Sequence, residues 1–213
     1  MELLTLAWDI AVHLDKHLAA LLAQYGTWVY AILFLIVFAE TGFVVTPFLP
    51  GDSLLFVAGA LCGAGSMDIW VLNGTLIAAA VLGNSVNYSI GRYLGPKVFH
   101  WENSRFFNKA ALMKTHVFYE QHGGKTLVIT RFIPILRTFA PFVAGIGAMR
   151  YGRFQAYNLS GALLWVVSLS VAGYFFGNLP IIQNNLSLVI LAIIVVSTMP
   201  AAIAYLKHRR APH

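Results

Sequence analysis

Residues 154–206 read FQAYNLSGALLWVVSLSVAGYFFGNLPIIQNNLSLVILAIIVVSTMPAAIAYL, a run of 53 positions without one Asp, Glu, Lys or Arg. A helical crossing of a bilayer takes about 20 apolar residues. The run therefore holds two, at 155–176 and 186–206, separated by an uncharged turn around Asn178, Pro180, Asn184 and Asn185. A buried soluble core needs no such stretch. Composition agrees: 59% of the residues are hydrophobic and 10% are charged, where a soluble domain carries about 25% charged residues. Mean hydropathy is +0.73. The chain is an all-α polytopic membrane protein by this reading, and 213 residues fit one membrane domain, 1–213.

The formal charge of +6 and a pI near 9.6 fit cytoplasmic loops and anionic lipid better than nucleic acid. Cys62 is the only cysteine, which excludes an internal disulfide and a cysteine metal cluster. Glu2 and Asp9 in place of a basic n-region argue against a cleaved signal peptide.

Working toward the N-terminus, the other segments are less simple. Residues 3–24 predict an amphipathic surface helix, with Ile10, Leu14, Leu18 and Leu21 on one face and Asp9, His13, Lys16 and His17 on another; Gly26 should end it. Residues 28–62 hold an apolar arm, a break at Pro47, Pro50 and Gly51, and a second arm too short to cross. A re-entrant hairpin has that form. A full span follows at 69–91. Residues 96–123, basic and aromatic, predict an interfacial helix. Residues 126–148 are apolar but carry Arg131, Pro134, Arg137 and Pro141, and predict a second re-entrant hairpin.

Loop charge tests this scheme. Residues 95–125, the turn at 150–153 and the tail from Lys207 to Arg210 are basic, whereas the turns near 63–68 and 178–185 hold no Lys or Arg. The positive-inside rule places the basic segments and the C-terminus in the cytoplasm. Residues 95–125 and 150–153 share a side only if 126–148 enters and leaves by that side. A short internal repeat agrees: Phe56-Val57-Ala58-Gly59 recurs as Phe142-Val143-Ala144-Gly145, and at the same offset Tyr88 and Gly91 align with Tyr174 and Gly177. The expected architecture is an inverted repeat of two re-entrant hairpins plus transmembrane helices, a recurring transporter plan.

Four ionisable residues, Glu40, Asp52, Arg131 and Arg137, fall inside the apolar segments. Each costs about 2.5–3.5 kcal/mol at mid-depth, so they must face one another, water or a charged ligand. One reading is two structural Arg–carboxylate pairs pinning the hairpins. The other is a functional site. Arg131 and Arg137 offer planar donor forks for phosphate oxygens, and Glu40 and Asp52 suit proton binding. Asn84 and Asn87 either bridge helices or line a cavity. Arg92 either snorkels from a span end or joins that cavity. Gly124-Lys125-Thr126 lacks the glycine a phosphate loop needs, since Tyr119 stands there. No nucleophile–base arrangement and no metal-ligand spacing is visible, so neither an enzyme nor a cofactor is expected.

The ordered series Glu40-Thr41-Gly42, Pro47 to Ser53, Gly91-Arg92, Arg131-Phe132-Ile133-Pro134, Arg137, Pro141 and Ala144-Gly145 closely resembles the DedA family, whose members carry the VTT (SNARE-associated) domain. The resemblance covers nearly the whole chain. It implies a bacterial inner-membrane protein related to eukaryotic lipid scramblases, with two opposed re-entrant hairpins. It also implies lipid movement across the bilayer (undecaprenyl phosphate or a phospholipid), dependence on the proton-motive force, and links to membrane stress and cell division. The family's essential acidic and arginine positions correspond to Glu40, Asp52, Arg131 and Arg137. The leading expectation is a flippase- or scramblase-like lipid transporter whose partners are a phosphate-bearing lipid and protons. The alternatives are a proton-coupled exchanger of small ions or drugs and a structural scaffold.

Overall fold

A computed structural model describes residues 14–43, 51–98, 124–183, 188–189 and 192. Every regular element among these is helical: α1 (Leu14–Tyr25), a 3-10 turn (Gly26–Trp28), α2 (Val29–Gly42), α3 (Gly51–Gly63), α4 (Ile69–Val98), α5 (Lys125–Ile129), a 3-10 turn (Thr130–Phe132), α6 (Pro134–Ile146), α7 (Tyr151–Phe176) and the short α8 (Pro180–Gln183).

Three stretches are long and apolar enough to cross a membrane: Leu14–Gly42, Ile69–Leu94 and Tyr151–Phe176. At 26 residues a helix is about 39 Å long, more than the roughly 30 Å of hydrocarbon. Their outer faces carry Trp70, Leu82, Leu159, Leu163, Leu164 and Phe175, all exposed, as bilayer-facing helices require. By contrast α3 and α6 have 13 residues each, about 20 Å. Nearly every side of α3 is buried, the pattern of a helix enclosed by others.

Local sequence explains the breaks. Ile133 is extended (φ −120°, ψ 105°) and Pro134 opens α6, because the proline ring disfavours helical geometry in the residue before it. Pro141, expected to break the second hairpin, lies inside α6, which runs on to Ile146. It removes one helical hydrogen bond, to the Arg137 carbonyl, and the buried neighbours Ala140, Phe142 and Ala144 keep the flanking turns in place. Gly26 does not end the N-terminal helix for good. At φ +55°, accessible without a Cβ, it starts one 3-10 turn, and the helix resumes at Val29. The expected division between a surface helix and a hairpin arm is therefore replaced by one helical run. Gly51, expected in the break of the first hairpin, is the first described residue of α3, and Pro47 and Pro50, nearly all of the interfacial segment beyond Val98 and most of the span at 186–206 lie outside the described residues.

The chain forms two compact units. The described residues of Met1–Leu35, Phe48–Leu76 and Trp165–His213 make the first, and those of Ile36–Pro47 and Ile77–Leu164 the second. In the first, α1 packs with α3, and Leu14, Leu18, Leu55, Leu72 and Trp165 are buried. In the second, Tyr88, Leu127, Ala140, Ala144 and Phe154 form the apolar cluster, with Tyr88 stacked on Phe154 at 4.4 Å.

Each unit contains the same close crossing. In the first, a Cβ on Gly59 would overlap the Ser170 carbonyl oxygen and one on Gly173 the Phe56 carbonyl oxygen. In the second, a Cβ on Gly145 would overlap the Tyr88 carbonyl oxygen and one on Gly91 the Phe142 carbonyl oxygen. The two Phe-Val-Ala-Gly copies thus perform one task, laying a short helix directly on a long one. The long-helix partners differ from the sequence alignment, however. Ser170 and Gly173 stand where Tyr88 and Gly91 do, one turn before Tyr174 and Gly177. The residue match in the long helices is a turn out of register with the packing match.

Candidate functional site

Among the described residues the second unit buries three charged side chains. Glu40, in the last turn of α2, and Arg137, in the first turns of α6, form an ion pair through Oε1 and Nη2. Neither helix dipole favours its charge: a carboxylate sits at a C-terminal end and a cation near an N-terminal one. The pair is the compensation. Which acid meets which arginine, open in the sequence, is answered for this pair.

Arg131 sits on the 3-10 turn before Pro134 and is 2% exposed. Its Nη2 donates to the Asn158 carbonyl oxygen at 3.2 Å and to Asn158 Oδ1 at 2.5 Å. Nε and Nη1, which carry three of the five guanidinium N–H donors, have no hydrogen-bond partner among the described residues. No carboxylate among the described residues pairs with it. Gly161, one turn beyond Asn158 on α7, leaves the room it occupies: a Cβ there would lie 2.9 Å from Arg131 Cδ and 3.0 Å from Nε.

Two asparagines of α4 tie the site together. Asn84 Nδ2 donates to Asn158 Oδ1 at 3.0 Å, and Asn158 Nδ2 donates to the Val81 carbonyl at 3.1 Å and Gln155 Oε1 at 3.0 Å. The Asn158 oxygen takes two donors and its amide gives two hydrogens, so the amide orientation is fixed by the network. Asn87 Nδ2 spans the Thr41 carbonyl (3.1 Å) and the Thr138 carbonyl (2.8 Å), joining the residues that follow Glu40 and Arg137. Gly42 and Gly83 let α2 approach α4 closely there. Of the two expected roles for Asn84 and Asn87, the geometry gives the bridging one: both are buried between helices rather than set in an open cavity wall. The Oδ1 atoms of Asn84 and Asn87 are buried with no partner among the described residues. Arg92 is exposed and lines an open cleft.

Asp52 belongs to the first unit. It sits in the first turn of α3, where the helix dipole favours it, and its Oδ1 accepts the Trp165 indole N–H at 2.9 Å. Ser53 Oγ beside it is buried and has no partner among the described residues. Asn158, Gly161 and Trp165 were not singled out by the sequence. Asn158 carried the same signal as Asn84 and Asn87, an amide inside an apolar span, but lay in the run valued for having no charge. Nothing in the sequence marks Gly161.

Residues 49–175 match the VTT domain, more than half of the chain. The chain belongs to the DedA family. It is 55% identical to Protein DedA of Escherichia coli strain K12 over 213 residues, covering 99% of this chain and 97% of that one. An uncharacterised membrane protein of Mycobacterium leprae is 46% identical over 169 residues (79% and 76%). The inner membrane protein YqjA of Escherichia coli is 38% identical over 157 residues (71% and 69%). No solved structure matches. Within this DedA-family chain the VTT match takes in Asp52, Arg131 and Arg137 but begins after Glu40, the partner that neutralises Arg137.

Proposed function

We propose that the protein moves a phosphate-bearing lipid across the inner membrane, the head group passing Arg131. The observation that carries this is an imbalance of charge. Among the described residues the second unit buries two arginines against one carboxylate, and Arg131 keeps three donors unspent. A buried cation without a counter-ion is costly, and a phosphate visiting the site offsets that cost during transport. Protons enter through Glu40 and Asp52: protonating Glu40 breaks its pair and releases Arg137 as a second fork for the phosphate. The short α3 and α6 act as re-entrant inserts, with the basic segments and C-terminus on the cytoplasmic side. Undecaprenyl phosphate and a glycerophospholipid share the chemistry Arg131 reads.

Reconstitution in liposomes tests the reading. Arg131→Ala and Arg137→Ala are expected to lower head-group translocation at least tenfold at equal protein incorporation. Wild-type rates in both variants would remove the assigned roles. A double swap, Glu40→Arg with Arg137→Glu, restores the ion pair but not the site. Recovery of transport in the swap would identify the pair as a structural pin, and flux of a soluble ion coupled to protons, without lipid movement, would identify an exchanger.

A further inference from the structure

A second cationic feature of the second unit takes no part in the buried network. Arg92 on α4, with Arg150 and Arg153 at the entry to α7, lines an open cleft of about 840 Å³, and among the described residues no acidic side chain shares its wall. The three arginines come from two separate elements and converge on one space. Arg92 Nη1 reaches Tyr88 Oη at 3.4 Å, and that hydroxyl in turn donates to the Met149 carbonyl. The first turn of α7 adds to the charge. Phe154 N bonds to the Arg150 carbonyl at 2.9 Å, so the N–H groups of residues 151–153 precede the first helical bond and have no acceptor within the helix. Gly152 has no neighbour within 4 Å of a Cβ position, which leaves the backbone open. Snorkelling arginines alone need no shared concavity.

Beside it runs an apolar groove of about 610 Å³, walled by Phe38 and by Leu82, Val86, Ile90 and Leu94 of α4. Ser89 lines both spaces. From Leu82 to Leu94 the groove follows α4 for about 18 Å, enough for much of a hydrocarbon chain.

We propose that this cleft and groove together hold one phospholipid, the phosphate among Arg92, Arg150 and Arg153 and one chain along α4, as a docking site separate from the buried pair. The continuity through Ser89 argues for an amphiphile rather than free phosphate, and the positive wall, unopposed among the described residues, for an anionic one. The proposal depends on the transport reading only for the site's purpose; its binding stands or falls alone.

The test is titration of the detergent-solubilised full-length protein with dioctanoyl phosphatidic acid, with dioctanoyl phosphatidylcholine and inorganic phosphate in parallel. Phosphatidic acid is expected to bind at least tenfold more tightly than either. Arg92→Gln/Arg150→Gln/Arg153→Gln together should weaken it at least tenfold, and Val86→Trp, which fills the groove, should weaken it without abolishing residual phosphate binding. All variants are first required to elute as the wild type does on size exclusion. The triple lysine variant, which keeps the charge, should retain most of the binding should the glutamine variant fail that check. Undiminished affinity in the triple variant overturns the site. Equal affinity for inorganic phosphate overturns the lipid assignment. Binding that disappears in Arg131→Ala but survives in the triple variant places the ligand at the buried arginine, overturning the cleft while leaving the transport reading intact.

Discussion

At Arg131 the surroundings supply position without neutralisation, and two substitutions separate those properties. Asn158→Asp keeps an acceptor against Nη2 but adds the carboxylate the site lacks. Arg131 then resembles Arg137, paired and unavailable to a ligand, and translocation is expected to fall at least tenfold while the protein stays monodisperse. Gly161→Ala leaves charge untouched and moves the guanidinium, because its Cβ would meet Arg131 Cδ and Nε. The end of an arginine can shift, so the expected stability cost is within about 1 kcal/mol, with a loss of transport out of proportion to it. Heating followed by size exclusion reads the first quantity, and liposome flux the second. Unchanged flux in both variants would mean that Arg131 never meets the ligand. Glu40→Gln acts differently. It removes the carboxylate from a buried pair that neither helix dipole supports, at about 3–5 kcal/mol, so the midpoint of thermal unfolding should drop markedly. An Asp52→Asn change should be milder, since Asp52 is half-buried and its Trp165 partner can still donate to the amide oxygen.

Helix crossings in both units depend on glycines that meet backbone rather than side chain, and backbone cannot yield. Gly59→Ala and Gly145→Ala would each drive a methyl into a carbonyl oxygen, forcing α3 or α6 away from its partner. Each is expected to cost at least about 2 kcal/mol, whereas Gly74→Ala, with open space at its Cβ position, should fall within about 1 kcal/mol of wild type. Equal thermal midpoints for all three would show that these crossings are loose. The repeated Phe-Val-Ala-Gly was legible in the sequence because the requirement is local: a small residue where two backbones touch. The partner register was not legible, because Tyr88/Tyr174 and Gly91/Gly177 match as residues while the packing pairs Tyr88 with Ser170 and Gly91 with Gly173. Residue identity along a helix says nothing of which turn a neighbour covers. At Pro134 the chain leaves helical geometry at Ile133, since a proline acts on the residue before it. Pro141, by contrast, stays inside α6, as one lost hydrogen bond does not end a helix held by buried neighbours on both sides. The four intramembrane charges were found by their cost in an apolar segment. Their partners, an ion pair for one arginine and an asparagine for the other, depend on side-chain positions that spacing does not encode.

For the molecule in its membrane, the decisive quantity is which side each turn faces. The helices of α4 and α7 are long enough to cross and α3 and α6 are not, so the path from Lys125 to Gly152 either returns to the side it left or requires a 13-residue helix and its preceding turns to bridge roughly 30 Å. The positive-inside pattern favours return. Cys62 is the native cysteine and is buried; with it replaced by alanine, single cysteines at Ser66, Lys125 and Gly152, all exposed, report the path by reaction with an impermeant maleimide. Ser66→Cys is expected to label in intact cells, and Lys125→Cys and Gly152→Cys only after the membrane is opened. Labelling of positions 125 and 152 from opposite sides would make α5 and α6 a crossing segment. Arg131 and Arg137 would then lie along a span rather than in an insert entered from one face. The re-entrant arrangement proposed for the transport path could not stand, because a proline-broken segment brings two arginines to one depth only when the chain turns back.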